Sequence, residues 1–269
     1  MPRKKVLITV TTYPLPSRSY AELVCTAGIT EQGEWIRIYP IPLRFLSSLK
    51  KDGSMVRTKY TWIKLNLINR SDDFRPESFS PRHYDFRDLE IGDSIDTQNK
   101  WQERKSLCLN NVYTSTSLLI SDAFGPNSVS LATFKPSEIM SFHHEPDERE
   151  WKPTWAAFTA QETLFTDPEE NQRRTIRKVP YKFYYKYKDD EGKISRLMIE
   201  DWEIGQLFWN CLKRADGNEA IALENVHNKY FDDFVNNCDL YFFLGTRKVH
   251  HARRFTNPFG IMGVFYPRK

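Results

Sequence analysis

The sequence has little cysteine, and what it has is scattered. Its four cysteines, Cys25, Cys108, Cys211 and Cys238, contain no Cys-x-x-Cys pair. A zinc site or a disulfide framework needs a regular cysteine pattern, and so we expect reduced thiols instead. The formal net charge of the 269 residues is only +4. The overall charge therefore does not identify a partner, and the distribution of charge along the chain matters more.

The sequence also lacks a segment typical of membrane insertion or secretion. No apolar run approaches the length of about 20 residues that spans a bilayer. Met1 to Lys5 precedes a short strand, without the small-residue cleavage site of a signal peptide. These absences predict a cytoplasmic protein with no membrane partner.

Common catalytic motifs are missing as well. The chain has no phosphate-binding Gly-rich loop, no Gly-x-Ser-x-Gly element and no His-Glu-x-x-His element. Asp72, Asp73, Glu77 and Asp85 cluster after a predicted strand, as in some nuclease metal sites, but no Glu-x-Lys pair completes the cluster. The sequence therefore predicts no catalytic residue, no metal and no cofactor.

What is abundant is aromatic. Aromatic residues make up 14% of the chain, with 13 tyrosines and 7 tryptophans, which favours a β-rich protein over a helical bundle. A hydrophobic content of 40% supports a substantial core, in one large domain or two small ones.

The clearest local pattern is a hairpin in the first half. Two β-prone runs, Val24–Ile29 and Trp35–Pro40, flank a turn that ends in Gly33. Because side chains alternate along a strand, Ile36 and Ile38 are predicted to enter a core, with Arg37 held at a surface on the opposite face.

The order of elements around the hairpin predicts a barrel. Strands at Val6–Val10 and Tyr60–Ile68 show alternation, and a short helical face (Leu43, Phe45, Leu46, Leu49) follows Pro42. Arg70–Pro81 is polar and rich in proline, which predicts a loop, and Leu89–Asp93 predicts a turn into another strand. Three strands, a helix and two more strands is the order of an OB barrel.

The motifs of this half resemble those of the dual OB-containing domain family. Members of that family have a hydrophobic strand, a Cys-x-Ala-Gly-Ile arm and a Gly-x-Trp-Ile-Arg arm, which here are Val6–Val10, Cys25–Ile29 and Gly33–Arg37. The family usually has Pro after the Arg, where this chain has Ile38-Tyr39-Pro40. The resemblance implies two OB-like β-barrels in tandem, a bacterial anti-phage setting and nucleic-acid binding, and it brings no catalytic residues.

The second half predicts a mixture of helices and strands. Short helices are expected at Lys100–Leu109 and Ser115–Phe124, with a strand at Val129–Phe134. A hairpin is expected from Val179 to Ile199, then two helices, the first capped by Asp201 and the second at Ala220–Val235. Two strands, Asp239–Gly245 and Phe259–Tyr266, close the chain. The expected fold is therefore mainly β with helical insertions (α+β).

The acidic, irregular span from His143 to Gln172 suggests a connector between two units. The predicted division is a first OB-like barrel with helical additions at residues 1–141, a connector at 142–172, and a second OB-like barrel with a helical insertion at 173–269.

The sharpest charge feature is Asn171–Lys188, which holds seven basic residues and no acidic one. Those residues are Arg173, Arg174, Arg177, Lys178, Lys182, Lys186 and Lys188. Within the predicted strand, Lys182, Tyr184, Lys186 and Lys188 share one face. Lysines beside an aromatic ring are what a groove for a nucleic-acid backbone needs. The alternative is an ordinary solvated strand face, balanced by the acidic residues at 189–191.

A second basic feature is the loop Thr246–Pro258. It holds Arg247, Lys248, His250, His251, Arg253 and Arg254, and OB folds bind through strand faces and adjacent loops. The two histidines, like His143-His144, raise the alternative of metal ligands. Adjacent residues on a strand point to opposite faces, and no acidic or cysteine partner is near, so a metal site is not favoured.

In the first half, Arg37, Tyr39 and Arg44 could form an equivalent surface. The alternative is that Arg37 pairs structurally with a carboxylate such as Glu22 or Glu34. Cys25 raises the possibility of a nucleophile, although a strand cysteine is more often a small buried hydrophobe.

Together these features predict a non-catalytic protein that binds nucleic acid, DNA or RNA and preferably single-stranded, as an accessory or sensor in an anti-phage or mobile-element system. The candidate binding residues are Arg37, Tyr39, Arg44, Lys182, Tyr184, Lys186, Arg247, Lys248, His250, Arg253 and Arg254. Two alternatives stay open: a protein-interaction module that docks a partner enzyme in a defence complex, and a small hydrolase or base-processing enzyme with a site between the barrels.

Overall fold

The computed structural model describes residues 3–13, 15–16, 22–42, 59–152 and 177–269. The first sheet contains strands β1 (Arg3–Thr11), β2 (Leu15–Pro16), β3 (Glu22–Thr30), β4 (Trp35–Pro42), β5 (Thr61–Asn69), β6 (Ser78–Pro81) and β7 (Glu90–Ser94). Its order is β1-β3-β4-β6-β5, and β5 pairs back onto β1. The sheet is therefore a closed five-stranded barrel, with β2 on β3 and β7 on β5 as additions.

The interior of this barrel is aliphatic. Ile36 and Ile38 are 1% and 0% exposed and pack with Val6, Ile8 and Ile63, which confirms the register predicted for β4. The predicted helical face at Leu43–Leu49 and the candidate residue Arg44 lie outside the described residues.

Two glycines explain parts of the hairpin sequence. Gly33 ends the turn with φ of +80°, a conformation that L side chains rarely adopt. Gly28 lies so close to β1 that an added Cβ would be 2.2 Å from the carbonyl oxygen of Leu7. The first glycine is needed for the turn and the second for the close approach of β1 and β3.

The second sheet begins after a helix, α1 (Gln98–Cys108). Its strands are β8 (Val112–Tyr113), β9 (Leu131–Phe134), β10 (Glu138–Pro146), β11 (Tyr181–Lys188), β12 (Ile194–Ile199), β13 (Tyr241–Thr246) and β14 (Phe259–Phe265). Its helices are α2 (Thr116–Phe124), α3 (Trp202–Arg214), α4 (Glu219–His227), α5 (Phe234–Asn237) and α6 (Lys248–Ala252), with a π-helical turn at Asn228–Asp233. The strand order is β10-β11-β12-β14-β13-β9-β8.

The two sheets follow one plan. In the first, the start of β1 pairs with β5 and its later residues pair with β3. In the second, β9 pairs with β13 and β10 pairs with β11, so that β9 and β10 together occupy the place of β1. Pro136 lies between them, and proline has no amide hydrogen to donate to a ladder. Among the five barrel strands taken in chain order, β4 is the third and β6 the fifth, and these two are parallel. Strands β12 and β14 hold the same places in the second sheet and are also parallel.

This arrangement differs from the expected division of the chain. Strands β8, β9 and β10, at residues 112–146, all belong to the second sheet, whereas the sequence suggested a boundary at 141 and a connector at 142–172. Strand β10 was missed because it lies at the end of the sheet order, and all but one of its residues are at least partly exposed, so it lacks a regular apolar alternation. Of the expected connector, residues 153–172 lie outside the described residues.

The predicted helical insertion is confirmed, and it lies between β12 and β13 of the second sheet. The Asp201 side chain accepts a hydrogen bond from the Glu203 amide and caps α3, as expected. Ile204, Phe208 and Cys211 form the buried face of this helix. In the part of the chain that the structure describes, no helix is long and apolar enough to cross a membrane.

The barrel and the second sheet share a core. Leu7, Val10 and Ile29 from the barrel pack with Phe243 and Phe265 from the second sheet. Beside this apolar contact, the backbone amide of Tyr13 donates to the carbonyl of Glu200 at 2.9 Å. Since apolar packing and hydrogen bonds both connect them, the relative position of the barrel and the second sheet is set by many contacts.

Candidate functional site

A cleft of about 810 Å³ lies where the barrel meets the second sheet and its helices. The barrel side contributes Cys25, Arg37, Tyr39 and a loop that carries Arg70, Asp72, Asp73 and Arg75. The side of the second sheet contributes Lys178, Lys182, Glu200, Asp201, Arg247 and Lys248, and Asp147 lies beside them. Seven cations and five carboxylates therefore line one cleft. One of the carboxylates, Asp201, is already paired with Lys59 at 2.8 Å, outside the lining.

Arg37 lies at the floor of this cleft, and the expectation that it is held at a surface is wrong. It points out of the barrel, on the face opposite Ile36, but the second sheet covers it and leaves it 3% exposed. Its Nη1 donates to the hydroxyls of Ser130, at 2.9 Å, and Ser78, at 3.2 Å, and its Nη2 donates to the Ser130 carbonyl at 3.2 Å. Alternation along a strand determines the face on which a residue lies, but not what covers that face.

The partners of Arg37 are neutral. Among the described residues no carboxylate lies within 4.0 Å of its guanidinium, and Glu34 is exposed to solvent. Glu77 acts on it through Ser130, since the carboxylate accepts from the Ser130 amide at 2.9 Å and from its hydroxyl at 2.8 Å. Burial lowers the pKa of Arg37, but a guanidinium keeps its charge in proteins.

Cys25 lies beside Arg37 at a bulge in β3. The pairing of β3 with β4 shifts by one residue between Val24 and Thr26, and such bulges redirect a side chain. Burial raises the pKa of the Cys25 thiol, an effect that Arg37 and Arg75 counteract only in part. A raised pKa disfavours the thiolate that a nucleophile requires.

The remaining first-barrel cations of the cleft are paired with neighbours in sequence. Arg75 donates to both oxygens of Asp73, at 2.9 and 2.6 Å, and to the Thr246 carbonyl of the second sheet at 2.6 Å. The bonds from Arg75 hold the pKa of Asp73 well below its usual range, against the opposing effect of burial. Arg70 pairs with Asp72 at 2.6 Å. The acidic cluster considered as a nuclease metal site thus has structural partners. Asp72 and Asp73 pair with arginines, and Glu77 bonds Ser130.

On the side of the second sheet, the cations that line the cleft outnumber their carboxylates. Lys178 and Lys182 share Asp147, at 3.0 and 2.9 Å. Arg247 donates to Glu200 at 2.6 Å through Nε. Lys248 donates to the backbone carbonyl of Asp72 and lies 3.7 Å from its carboxylate, which Arg70 also uses.

Strand β11 shows the alternation that was predicted, with Phe183, Tyr185 and Tyr187 buried on its inner face. On its outer face, however, the ring of Tyr184 already has two partners. Its ring is stacked on His143 with centroids 5.4 Å apart, and the Arg196 guanidinium lies 3.7 Å from its centroid. Lys186 and Lys188 lie further along the strand, where Lys188 pairs with Glu138 at 2.8 Å. These three predicted residues are not part of the cleft lining.

Part of the predicted loop at Thr246–Pro258 is the short helix α6. His251 is buried, with Nε2 2.7 Å from the Ala123 carbonyl and Nδ1 3.1 Å from the Thr246 hydroxyl. His250 stacks on Phe255 at 4.4 Å, and Arg254 lies over Phe124 at 4.7 Å. Both imidazoles thus have structural contacts, and the described residues contain no group of three or more potential metal ligands.

The structure therefore brings together five of the candidate residues and separates the others. Arg37, Tyr39, Lys182, Arg247 and Lys248 line the cleft, whereas Tyr184, Lys186, His250, Arg253 and Arg254 do not. The sequence argument did not select Arg70, Arg75 and Ser130. The pairs Arg70/Asp72 and Asp73/Arg75, each two residues apart, were a usable signal for a loop ordered by its own ion pairs.

The chain belongs to the family described as a domain of unknown function, DUF8757, whose model matches residues 111–269, and the model of a second domain of unknown function, DUF8758, matches residues 2–110. No curated protein matches the chain. Among solved structures, the tetrameric p202 HIN2 is similar with 8% identity and a TM-score of 0.32, over 100% of this chain and 92% of that one. A murine DNA binding protein bound with double-stranded DNA has 8% identity and a TM-score of 0.31, over 100% and 95%. At these scores neither likeness carries a functional inference.

Proposed function

We propose that this protein binds single-stranded nucleic acid in the cleft between its two barrels. The observation that carries the proposal is the lining of that cleft, where seven cations from both barrels surround one space. Four of its carboxylates pair with six of those cations, and Arg37 has none. The excess of positive charge suits a phosphate backbone, because lysine and arginine neutralise phosphates and release counterions.

The same cleft offers rings on which bases can stack. Tyr39, Tyr181 and Trp151 contribute to its lining. Tyr39 is 37% exposed, although the Arg70 guanidinium lies 5.1 Å from its ring centroid. Stacking on aromatic side chains requires bases that are not paired in a duplex, and this favours a single strand.

We also propose that both barrels are OB-like, as the resemblance to the dual OB-containing domain family implied. Their shared strand plan, with one parallel pair and a helical insertion before the fourth strand of the second barrel, supports this reading. An accessory or sensor role in a cytoplasmic anti-phage system is proposed on that resemblance alone.

The test is a panel of single- and double-stranded DNA and RNA, titrated at several salt concentrations. The variant Lys182→Gln, Arg247→Gln, Lys248→Gln removes three cleft cations. We expect weaker binding across all sequences, because phosphate contacts carry no sequence information. The slope of log affinity against log salt is expected to fall by roughly 0.7 for each lost contact.

A matched control removes the same charge outside the cleft, by Lys186→Gln, Lys188→Gln and Arg254→Gln. We expect this control to retain most of the affinity. Equal losses in the two variants would show that only overall charge matters and would overturn the cleft as the site. If neither the wild type nor the variants bind any member of the panel, nucleic-acid binding itself is refuted.

A further inference from the structure

The floor of the cleft contains a buried cation with neutral partners. Arg37 is 3% exposed, and its guanidinium bonds the hydroxyls of Ser78 and Ser130 and the Ser130 carbonyl, while Cys25 lines the same cleft. Buried charges in proteins are ordinarily paired with an opposite charge. Arginine cannot relieve the cost by losing its proton. An anion from outside the chain would therefore be stabilised at this position.

The charged groups nearest to Arg37 do not pair with it directly. Arg75 lies close enough to repel Arg37, but its own carboxylate, Asp73, is engaged by two of its nitrogens. Glu77 is connected to Arg37 only through the amide and hydroxyl of Ser130. Arg37 therefore has no carboxylate in direct contact, and the charge of Glu77 reaches it only across Ser130.

The guanidinium is also held in a fixed orientation. Ser78 and Ser130 come from different barrels, and each bonds Nη1, while Glu77 orients Ser130. A guanidinium fixed in this way presents a rigid fork of donors, the geometry that matches the oxygens of a phosphate. The side of Arg37 that lines the cleft lies beside Cys25, which is partly exposed.

We propose that the floor of the cleft is a phosphate site that takes the terminal phosphate of a nucleic-acid strand. A phosphate inside a strand carries a nucleoside on both sides, and both would have to reach a group that is 3% exposed. A terminal phosphate is attached on one side only, and it carries more charge than a diester. This inference rests on the proposed function, and it adds which part of the strand the cleft recognises.

The test compares oligonucleotides of one sequence that end in a phosphate or a hydroxyl at the 5′ end, and likewise at the 3′ end. We expect one terminal phosphate to tighten binding to the wild type by about tenfold or more, the effect of one strong charge-assisted pair. Cys25→Asp places a carboxylate beside Arg37 as an internal counter-ion, and it should abolish this preference. Cys25→Ser is the isosteric control and should keep it.

A second control separates the floor from the wall of the cleft. Lys182→Gln should weaken binding of the phosphorylated and unphosphorylated strands by the same factor, because Lys182 lies on the wall beside Asp147. Thermal unfolding checks that each variant folds. If Cys25→Asp does not fold, Arg37→Lys replaces it, because an ammonium keeps the charge but lacks the fork, and the preference must fall.

The outcomes distinguish the two proposals. Salt-dependent binding with no preference for a terminal phosphate would overturn the inference and leave the proposed function in place. Stabilisation of the wild type by a 5′- or 3′-mononucleotide, lost in Cys25→Asp, together with no oligonucleotide binding, would support the phosphate site and refute strand binding. Loss of preference in Lys182→Gln as well as in Cys25→Asp would place the phosphate on the wall and overturn the assignment to Arg37.

Discussion

Two arginines illustrate how differently this molecule uses the same side chain. Arg37, on β4, is 3% exposed and bonds the hydroxyls of two serines at the junction of the barrels. Arg196, on β12, has a side chain that is 41% exposed; it bonds His143 at 2.7 Å, pairs with Glu145 and covers the ring of Tyr184. The guanidinium of Arg37 is buried and lacks a counter-ion, whereas that of Arg196 is partly exposed to solvent and pairs with a carboxylate.

The comparison shows that basic residues near a surface are not equivalent as candidates for binding. On the outer face of the second sheet, cations and rings already contact each other, and a new ligand gains little there. In the cleft, cations are held in place with fewer carboxylates than they need. The difference lies in burial and pairing, which a count of lysines and arginines does not reveal.

The largest expected difference between the two arginines is in their contribution to the free energy of unfolding. Arg37→Gln should lower the free energy of unfolding by about 1–3 kcal/mol, because the buried oxygens of Ser78 and Ser130 lose their donor. Arg196→Gln should cost about 0–1 kcal/mol, as exposed pairs do. Urea denaturation of the two variants measures the difference. Equal costs would contradict the distinction between the two regions.

A smaller effect is expected on binding, from two tyrosines. Tyr39→Ala should weaken oligonucleotide affinity by about 1–3 kcal/mol, the usual contribution of one stacking ring, with little change in salt dependence. Tyr184→Ala should weaken it much less, because His143 and Arg196 already occupy its ring. Titrations of both variants at one salt concentration decide this, and a larger loss for Tyr184 would move the binding surface to the outer face.

The smallest effect concerns the two histidines of α6. Burial lowers the pKa of His251, near Arg75, Arg37 and Glu77, so the folded protein keeps it neutral where the unfolded chain binds a proton. The unfolded state thus binds more protons below a pH of about 6.5, and stability should fall as the pH drops through this region. Urea denaturation between pH 5 and 8 should show a weaker fall for His251→Gln than for wild type. His250→Gln, at the more exposed histidine, should change the profile less.

The sequence predicted the faces of the strands well and their environment poorly. The alternation along Tyr181–Lys188 placed Tyr185 and Tyr187 on the face opposite the lysines, and both are 0% exposed. The same reasoning placed Arg37 on the outer side of β4, which is correct, but it could not show that Ser130, 93 positions away, covers that side. Contacts between distant segments depend on the relative position of the barrels, which local periodicity does not contain.

Short strands were the other failure. Strand β6, with four residues, lies in the polar stretch that was predicted to be a loop, yet it closes the first barrel between β4 and β5. A strand this short shows at most two residues on each face, too few for a period to be recognised. It also carries Ser78, so that missing this strand meant missing a partner of Arg37.

The apolar contact between the barrel and the second sheet makes each half of the chain depend on the other. The two family models divide the chain between residues 110 and 111, but the cluster around Leu7, Ile29, Phe243 and Phe265 draws on both sides of that division. A chain that carried one half alone would expose these side chains to water, a surface prone to aggregation unless polar residues replaced them. The division marks units of sequence, whereas the apolar cluster joins residues from both of them. Exchange of one half between distant relatives would succeed only where the apolar faces have changed together.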